Sequence, residues 1–586
     1  MSESFASFEF KAPVDTPSPT PRDALDASVE RLRGAATLFA ALSIPDRLAL
    51  ARSMQEGYCS IAERSVSVAC EAKGIPFDTS LAGEEWLSGP WPVVRHLRLI
   101  RESLEQIQAT GTTRVARPRR LADGRLRVRV YPENGLDRVL FSGVSVDVHM
   151  EDGITEQRLE ASRSGFYKKP AHEGRVVMVL GTGNVASIAP TDVITKMFNE
   201  GKVCLLKMSP VNAYIGPFIE KAFASAIEQG FFAVAYGDVE EGAYLTQHEG
   251  VDEIHMTGSD KTHDAIVWGP PGPERDSRIA ADRPLLHKQI TSELGNVSPV
   301  IVVPGPLTAR QLRFQAEDVA AAMTINASFL CIAAKMLVMP KGWEGRDLFM
   351  RELERVLAEV APRRAYYPGA HERWHKLTAG HDSVRRVGDA GPDELPWTLI
   401  TDLDPENDAE PLFHTEPFCS IISEVAIGGV GSDSGNDPAS FLDAAVDFVN
   451  NKLWGTLAAT LIVPTSLARD PAVAQAVEQA IANLRYGTVG VNVPPGASFG
   501  LGTPPWGGYP GSTRTDIQSG RGWVHNARML EGIEKVVIRA PLTRFPKPIY
   551  FPSHRRAHQA ARRLVPLDRN GSWAHVPGLV WAALRG

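Results

Sequence analysis

The sequence predicts an α/β protein divided into two or three domains, on three observations. At 586 residues the chain is too long to fold around one hydrophobic core. A buried strand, Arg175-Val-Val-Met-Val-Leu180, runs into Gly181-Thr-Gly183-Asn184-Val-Ala186, which reads as the G-x-G-x-x-G/A turn of a dinucleotide-binding strand–helix unit. Beyond Cys331, helical and strand-like segments alternate to about residue 487, as expected of a second α/β domain.

Composition excludes several classes. Hydrophobic residues make up 43% of the chain, net charge is −7 and the pI is near 6.1, so a nucleic-acid binder with a basic face is not expected. No apolar run is long enough to span a bilayer. The N-terminal stretch lacks the basic and apolar regions of a signal peptide. With Pro13, Pro17, Pro19 and Pro21 following, residues 1–23 read as a loose tail. Five cysteines without CxxC spacing (Cys59, Cys70, Cys204, Cys331, Cys419) fit a reducing cytoplasm better than a disulfide framework or a zinc site.

In chain order, residues 24–112 read as helices, with Trp86 and Trp91 as interhelix contacts. From 113 to 163 the period changes. Arg127-Val-Arg-Val-Tyr131 and Val144-Ser-Val-Asp-Val-His149 alternate as half-buried strands do. Their edges need covering by another chain, which predicts an oligomerisation arm.

A second buried strand, Lys202–Lys207, ends in lysine rather than in the acidic ribose ligand of the usual fingerprint. Residues 268–284 are Pro/Gly-rich and read as a surface loop. The strand-like Leu286–Thr291 delivers Glu293, and Met336-Leu-Val-Met339 is a short buried strand just after Cys331. Gly428–Ser440 reads as an exposed loop. The basic, proline-rich stretch 541–586 reads as an arm packing on a neighbouring subunit.

Five segments stand in a telling order: Gly181-Thr182-Gly183-Asn184, Ser292-Glu293-Leu294-Gly295, Asn326 to Cys331, Glu416-Pro417-Phe418 and Pro505-Trp506-Gly507-Gly508. Together they resemble the aldehyde dehydrogenase superfamily over roughly residues 30 to 535. The resemblance implies a Rossmann-type cofactor domain (24–112 and 164–292) and an α/β catalytic domain (293–505). It also implies a protruding β arm with a C-terminal extension (113–163 and 506–586). A homodimer or homotetramer is the expected assembly.

The resemblance further assigns Cys331 as nucleophile, Glu293 as general base and the Asn184 amide to the oxyanion hole. Lys207, Ser209, Gly242, Thr257, Gly258, Ser259, Leu294, Glu416 and Phe418 fall at its cofactor-binding positions. Pro210 stands where the family often has a glutamate that favours a free ribose 2′-hydroxyl, so NAD and NADP both remain open. Other departures are Asn296-Val297 for Gly-Lys, Cys419-Ser420 for Gly-Pro, and Pro510-Gly-Ser-Thr for Lys-x-Ser-Gly.

The implied chemistry is oxidation of an aldehyde to the acid through a thiohemiacetal and a thioester on Cys331. Phe329, Leu330 and Ile332 are expected to line the substrate tunnel and to favour apolar aldehydes, medium-chain or aromatic. No metal is expected. Two alternatives are a CoA-acylating reductase and a non-catalytic scaffold of the same fold.

Overall fold

The computed structural model describes residues 16–586 apart from Asp433. Two sheets organise the chain. The first has six strands in the order Gly520–Arg521, Gln289–Leu294, Glu253–Gly258, Val176–Leu180, Val203–Lys207 and Phe232–Ala235. The last five pair in parallel. Val176–Leu180, Val203–Lys207 and Phe232–Ala235 are near-continuous apolar runs, as suits strands covered by helices on both faces. One cover is N-terminal: helices Arg22–Ala40, Ile44–Lys73 and Pro90–Thr110 share a core with these strands. Ser43 caps the second of them and Gly74, at φ +68°, ends it. The loose tail expected over 1–23 falls partly outside the described residues, and helix begins already at Arg22.

The second sheet has eleven strands. Its parallel centre runs from Ile533–Arg539 through Thr488–Val491, Ala458–Ile462, Pro299–Val302, Met336–Pro340 and Ile421–Ile427 to Trp397–Leu403. The expected strand at Met336 is therefore central and wholly buried.

Three sequence-based expectations are corrected here. The arm strands exist, at Leu126–Tyr131 and Ser145–Met150, but another chain is not needed to cover them. Ser145–Met150 pairs antiparallel with Ile533–Arg539 of the same chain, which extends the second sheet. The remaining edge is Arg119–Arg120, only two exposed residues long. A short charged edge resists further pairing. The exposed-edge argument for an oligomer therefore loses its physical basis.

The C-terminal stretch also packs on its own chain. Helices Ala557–Asn570 and Val576–Leu584 bury Ala560, Ala561, Leu564 and Leu579 in the N-terminal helical core. Asp568 clamps them there, accepting from Trp91 Nε1 at 2.6 Å, Arg98 Nη2 at 2.8 Å and Arg95 Nη1 at 3.1 Å. Burial raises the Asp568 pKa, but Arg95 and Arg98 win and hold it below the usual carboxylate range. Finally, the Pro/Gly-rich segment after Trp268 contains a helix, Pro273–Ala280. Its proline sits in the first turn, where the missing N–H costs nothing.

Candidate active site

Cys331 lies between two rigid elements. Before it come helix Ala309–Thr324 and the 3₁₀ turn Ile325–Ser328; after it comes strand Met336–Pro340. The approach is strained, because Asn326, Ala327 and Ser328 all have left-handed backbone, with φ of 53°, 53° and 70°. Each such non-glycine residue costs on the order of 1 kcal/mol, so neighbouring contacts must impose the conformation.

Those contacts come from far away in the chain. The Asn326 side chain donates to Asn184 O and Phe329 O, both at 3.0 Å. Its Oδ1 accepts from Lys73 Nζ and from the Tyr366 hydroxyl, also at 3.0 Å. Lys73, at the end of an N-terminal helix, pairs with Glu85 at 2.8 Å, both side chains almost fully buried. Sequence reasoning missed Lys73, Glu85 and Tyr366, since none belongs to a motif. Lys73→Met should strand the Glu85 charge in the interior and cost about 3–5 kcal/mol. Denaturant unfolding checks this, and adding Glu85→Gln should recover most of the loss.

The structure brings the three expected catalytic residues together. Glu293 ends strand Gln289–Leu294, and its Oε1 accepts from the Cys331 thiol at 3.1 Å. Burial pushes Glu293 up to about 8; the thiol contact opposes this and the Asp192 charge adds to it. Burial also pushes the Cys331 thiol well above its usual range, with Glu293 and Glu416 adding and Lys335 opposing. The Asn184 amide donates to Phe329 O at 2.9 Å, and its Oδ1 accepts from Thr182 at 2.6 Å. One N–H of that amide is thus spent two residues before the nucleophile. The other makes no hydrogen bond to the described residues.

Asn296, a departure from the family pattern, points away from this chemistry. It donates to Ala458 O at 2.7 Å and Ser298 Oγ at 3.0 Å. Glu416 packs closely over Gly295: a Cβ there would lie 2.0 Å from Glu416 Oε2 and would push that carboxylate aside. Glu416 itself pairs with Lys335 at 2.7 Å.

Most of the expected cofactor residues lie at the carboxyl ends of strands of the six-stranded sheet or in the segments that follow them. Lys207 ends its strand and donates to Gly237 O at 2.7 Å. Ser209 follows it, and Gly258 and Ser259 lead into helix Asp260–Trp268, which Ser259 caps. Gly242 sits in helix Val239–Gln247, with no atom within 4 Å of where a Cβ would be. Strand ends, an open helix face and helix N-termini suit a dinucleotide and its phosphates. Thr257 differs: its hydroxyl donates to buried Asp192 at 3.1 Å, into the sheet. Leu294 is buried at the strand end beside Glu293. Phe418 joins an aromatic cluster with Tyr367, at 4.9 Å between ring centres, and Phe329, at 5.9 Å.

The residues flanking the thiol part company. Ile332 and Cys331 contact an apolar wall of Leu457, Phe499, Trp506 and Val524. Phe329 turns instead toward Phe418 and Tyr366, so it does not face that wall.

Comparison with known proteins agrees with this arrangement. The aldehyde dehydrogenase family model matches residues 150–361, a span that holds Asn184, Glu293 and Cys331. The NAD-dependent aldehyde dehydrogenase from Sinorhizobium meliloti is similar at 18% identity, over 90% of this chain and 88% of that one, with a TM-score of 0.58. The NADP-dependent glyceraldehyde-3-phosphate dehydrogenase from Bacillus halodurans C-125, complexed with NADP, shows 15% identity over 88% and 91%, with a TM-score of 0.58. Lactaldehyde dehydrogenase from Escherichia coli shows 16% identity over 87% and 90%, with a TM-score of 0.54. Over residues 150–361 the chain is similar to the aldehyde dehydrogenase family, and its fold is the one these solved structures share.

Proposed function

We propose that this protein oxidises apolar aldehydes, medium-chain or aromatic, to carboxylic acids with NAD or NADP. The observation that carries the reading is the contact of the Cys331 thiol with Glu293 at 3.1 Å, beside the Asn184 amide. A nucleophile, a base and an oxyanion donor converge there, as acyl chemistry requires.

Glu293 takes the thiol proton as Cys331 Sγ adds to the aldehyde carbon, giving a thiohemiacetal. The free N–H of Asn184 stabilises the oxyanion; such a donor is worth about 3 kcal/mol of barrier. Lys207, Ser209, Ser259 and Glu416 would hold NAD or NADP, which would supply the hydride acceptor. Loss of hydride leaves a thioester on Cys331. Glu293 releases the thiol proton to solvent and then removes a proton from water as it attacks that carbonyl, and the acid departs as the thiolate is restored.

Hydrolysis is favoured over acyl transfer to CoA by the base. Water, with a pKa of about 15.7, needs a positioned carboxylate. Glu293, held near 8, is tuned for proton transfer close to neutral pH. The side chain of Asn296 leaves its approach clear.

The test is a panel of aldehydes with NAD or NADP, with and without CoA, read as NADH or NADPH formed. Turnover without CoA supports the proposal; turnover only with CoA overturns the hydrolytic step. The wall of Leu457, Phe499, Trp506 and Val524 supports an apolar substrate. Each methylene buried there should gain about 0.8 kcal/mol, or about fourfold in kcat/KM. Charged semialdehydes outcompeting hexanal and benzaldehyde would overturn that preference.

A further inference from the structure

Lys335 is an unusual lysine. Its side chain is 0% exposed, and its ammonium makes three short contacts. It donates to Glu416 Oε1 at 2.7 Å, to Leu330 O at 2.8 Å and to Asn296 O at 3.3 Å. Its backbone is equally fixed, since its N–H donates to Ser298 O at 3.2 Å and its carbonyl accepts from Ser423 N at 2.8 Å. A buried ammonium on so rigid a frame cannot follow a moving partner. Its neighbours must be arranged around it.

Two of those neighbours belong to different halves of the site. Leu330 O is the carbonyl of the peptide leading into Cys331. The Cys331 carbonyl is held in turn by Ser298 Oγ at 3.2 Å. Both peptides flanking the thiol are thereby locked, which fixes where Sγ points. The other neighbour, Glu416, is one of the expected cofactor residues, pressed over the Gly295 backbone. One ammonium therefore touches the loop of the nucleophile and the carboxylate expected to receive the nicotinamide ribose.

We propose that Lys335 is a positioning residue that couples the two halves. It fixes where the Glu416 carboxylate sits and orients Cys331 through the Leu330 carbonyl, and its charge opposes the burial that disfavours the thiolate. When a ribose hydroxyl hydrogen-bonds Glu416, that carboxylate shares its charge with the ribose, and more of the Lys335 charge acts on sulfur. Cofactor binding then sharpens the nucleophile. The inference rests on Cys331 as nucleophile, and its test needs neither aldehyde nor turnover.

The charged groups facing the thiol are Glu293 from its strand end, Glu416 from its loop and Lys335 itself. Asp192 acts through Glu293, and Asp260 through Glu416. Burial penalises the ionised forms of Cys331 and Glu416 alike, and Lys335 is the cation opposing this at both.

The experiment is the pH dependence of Cys331 alkylation by iodoacetamide, followed by peptide mapping, in the full chain with and without NAD. NAD binding is measured separately by calorimetry. Lys335→Met should move the alkylation midpoint up by about one unit, or roughly tenfold slower reaction below it. It should also weaken NAD binding on the order of tenfold and abolish any effect of NAD on alkylation. Lys335→Arg, which keeps the charge, should restore most of the alkylation rate. Glu416→Gln should weaken NAD binding yet move the midpoint down, because a repelling charge is gone. A purely structural role would slow alkylation alike in Met and Arg variants with the midpoint unmoved. That result, or an unchanged midpoint in Lys335→Met, overturns the proposal. If the Met variant is unfolded by circular dichroism, the opposite shift in Glu416→Gln decides it.

Discussion

Cys331→Ala is expected to lower aldehyde oxidation by on the order of 10⁴-fold or more, while dinucleotide binding stays within about twofold. The loss should be this large because, in the proposed mechanism, the covalent intermediate forms on this thiol. Removing it leaves Glu293 and Asn184 with no acyl-enzyme to act on. The fold should tolerate the change. Asn326, Lys73 and Ser298 hold the loop through Asn184, Phe329 and the Cys331 carbonyl, not through sulfur. Cys331→Ser tests the same idea more strictly, since a hydroxyl fits but ionises far less readily. Steady-state rates and calorimetric titration with NAD and NADP measure both halves of the prediction. Activity above a tenth of wild type in the alanine variant would sink the nucleophile assignment.

Glu293→Gln should give one equivalent of NADH and then stall, with an acyl group left on Cys331 detectable by mass spectrometry. Steady-state turnover should fall by roughly 10²–10⁴-fold, the usual worth of a positioned general base. The wild-type deacylation rate should climb as pH rises through about 8 and then level; the glutamine variant should lack that rise.

Stability should move the other way. The folded Glu293 carboxyl is held near 8, against an ordinary value of 4.5, so between those values the folded chain keeps a proton that the unfolded chain has released. Its contribution to stability is full below 4.5 and is lost as pH rises toward 8. Glutamine cannot ionise, so the variant's Tm should gain on wild type across that window and hold its lead above it. Turnover that persists in the variant and requires CoA would hand the mechanism to the acylating alternative.

How far these residues could be read beforehand depended on whether their partners lay nearby in sequence. Glu293 and Cys331 could be singled out because they fall in segments whose order along the chain resembles one family. The strand at Met336 announces itself as an apolar run, whereas Gln289–Leu294, with Gln, Thr, Ser and Glu among its six residues, does not. The expected cofactor end of the first sheet was readable from its strands: Leu180, Lys207 and Gly258 end neighbouring parallel strands. The helix at Pro273–Ala280 was hidden by its composition. Pro and Gly mark a turn locally, yet a proline in the first helical turn is no obstacle.

Other features had no local signature. Lys73 reaches Asn326 across 253 residues, and Arg98 reaches Asp568 across 470. In the sequence each is one more charge on a helix, and only burial turns it into a fixed partner. The arm shows the limit most clearly. Alternating residues from Leu126 to Met150 determined that strands would form and that their edges needed hydrogen bonds. They did not determine whose backbone would supply them. That choice came from the tertiary structure, which brings Ile533–Arg539 between Thr488–Val491 and Ser145–Met150. Periodicity specifies which face of a strand is buried; the partner along its edge is specified by where distant segments can reach. Asp568, drawn in among Trp91, Arg95 and Arg98, is what holds the last such segment on its own chain.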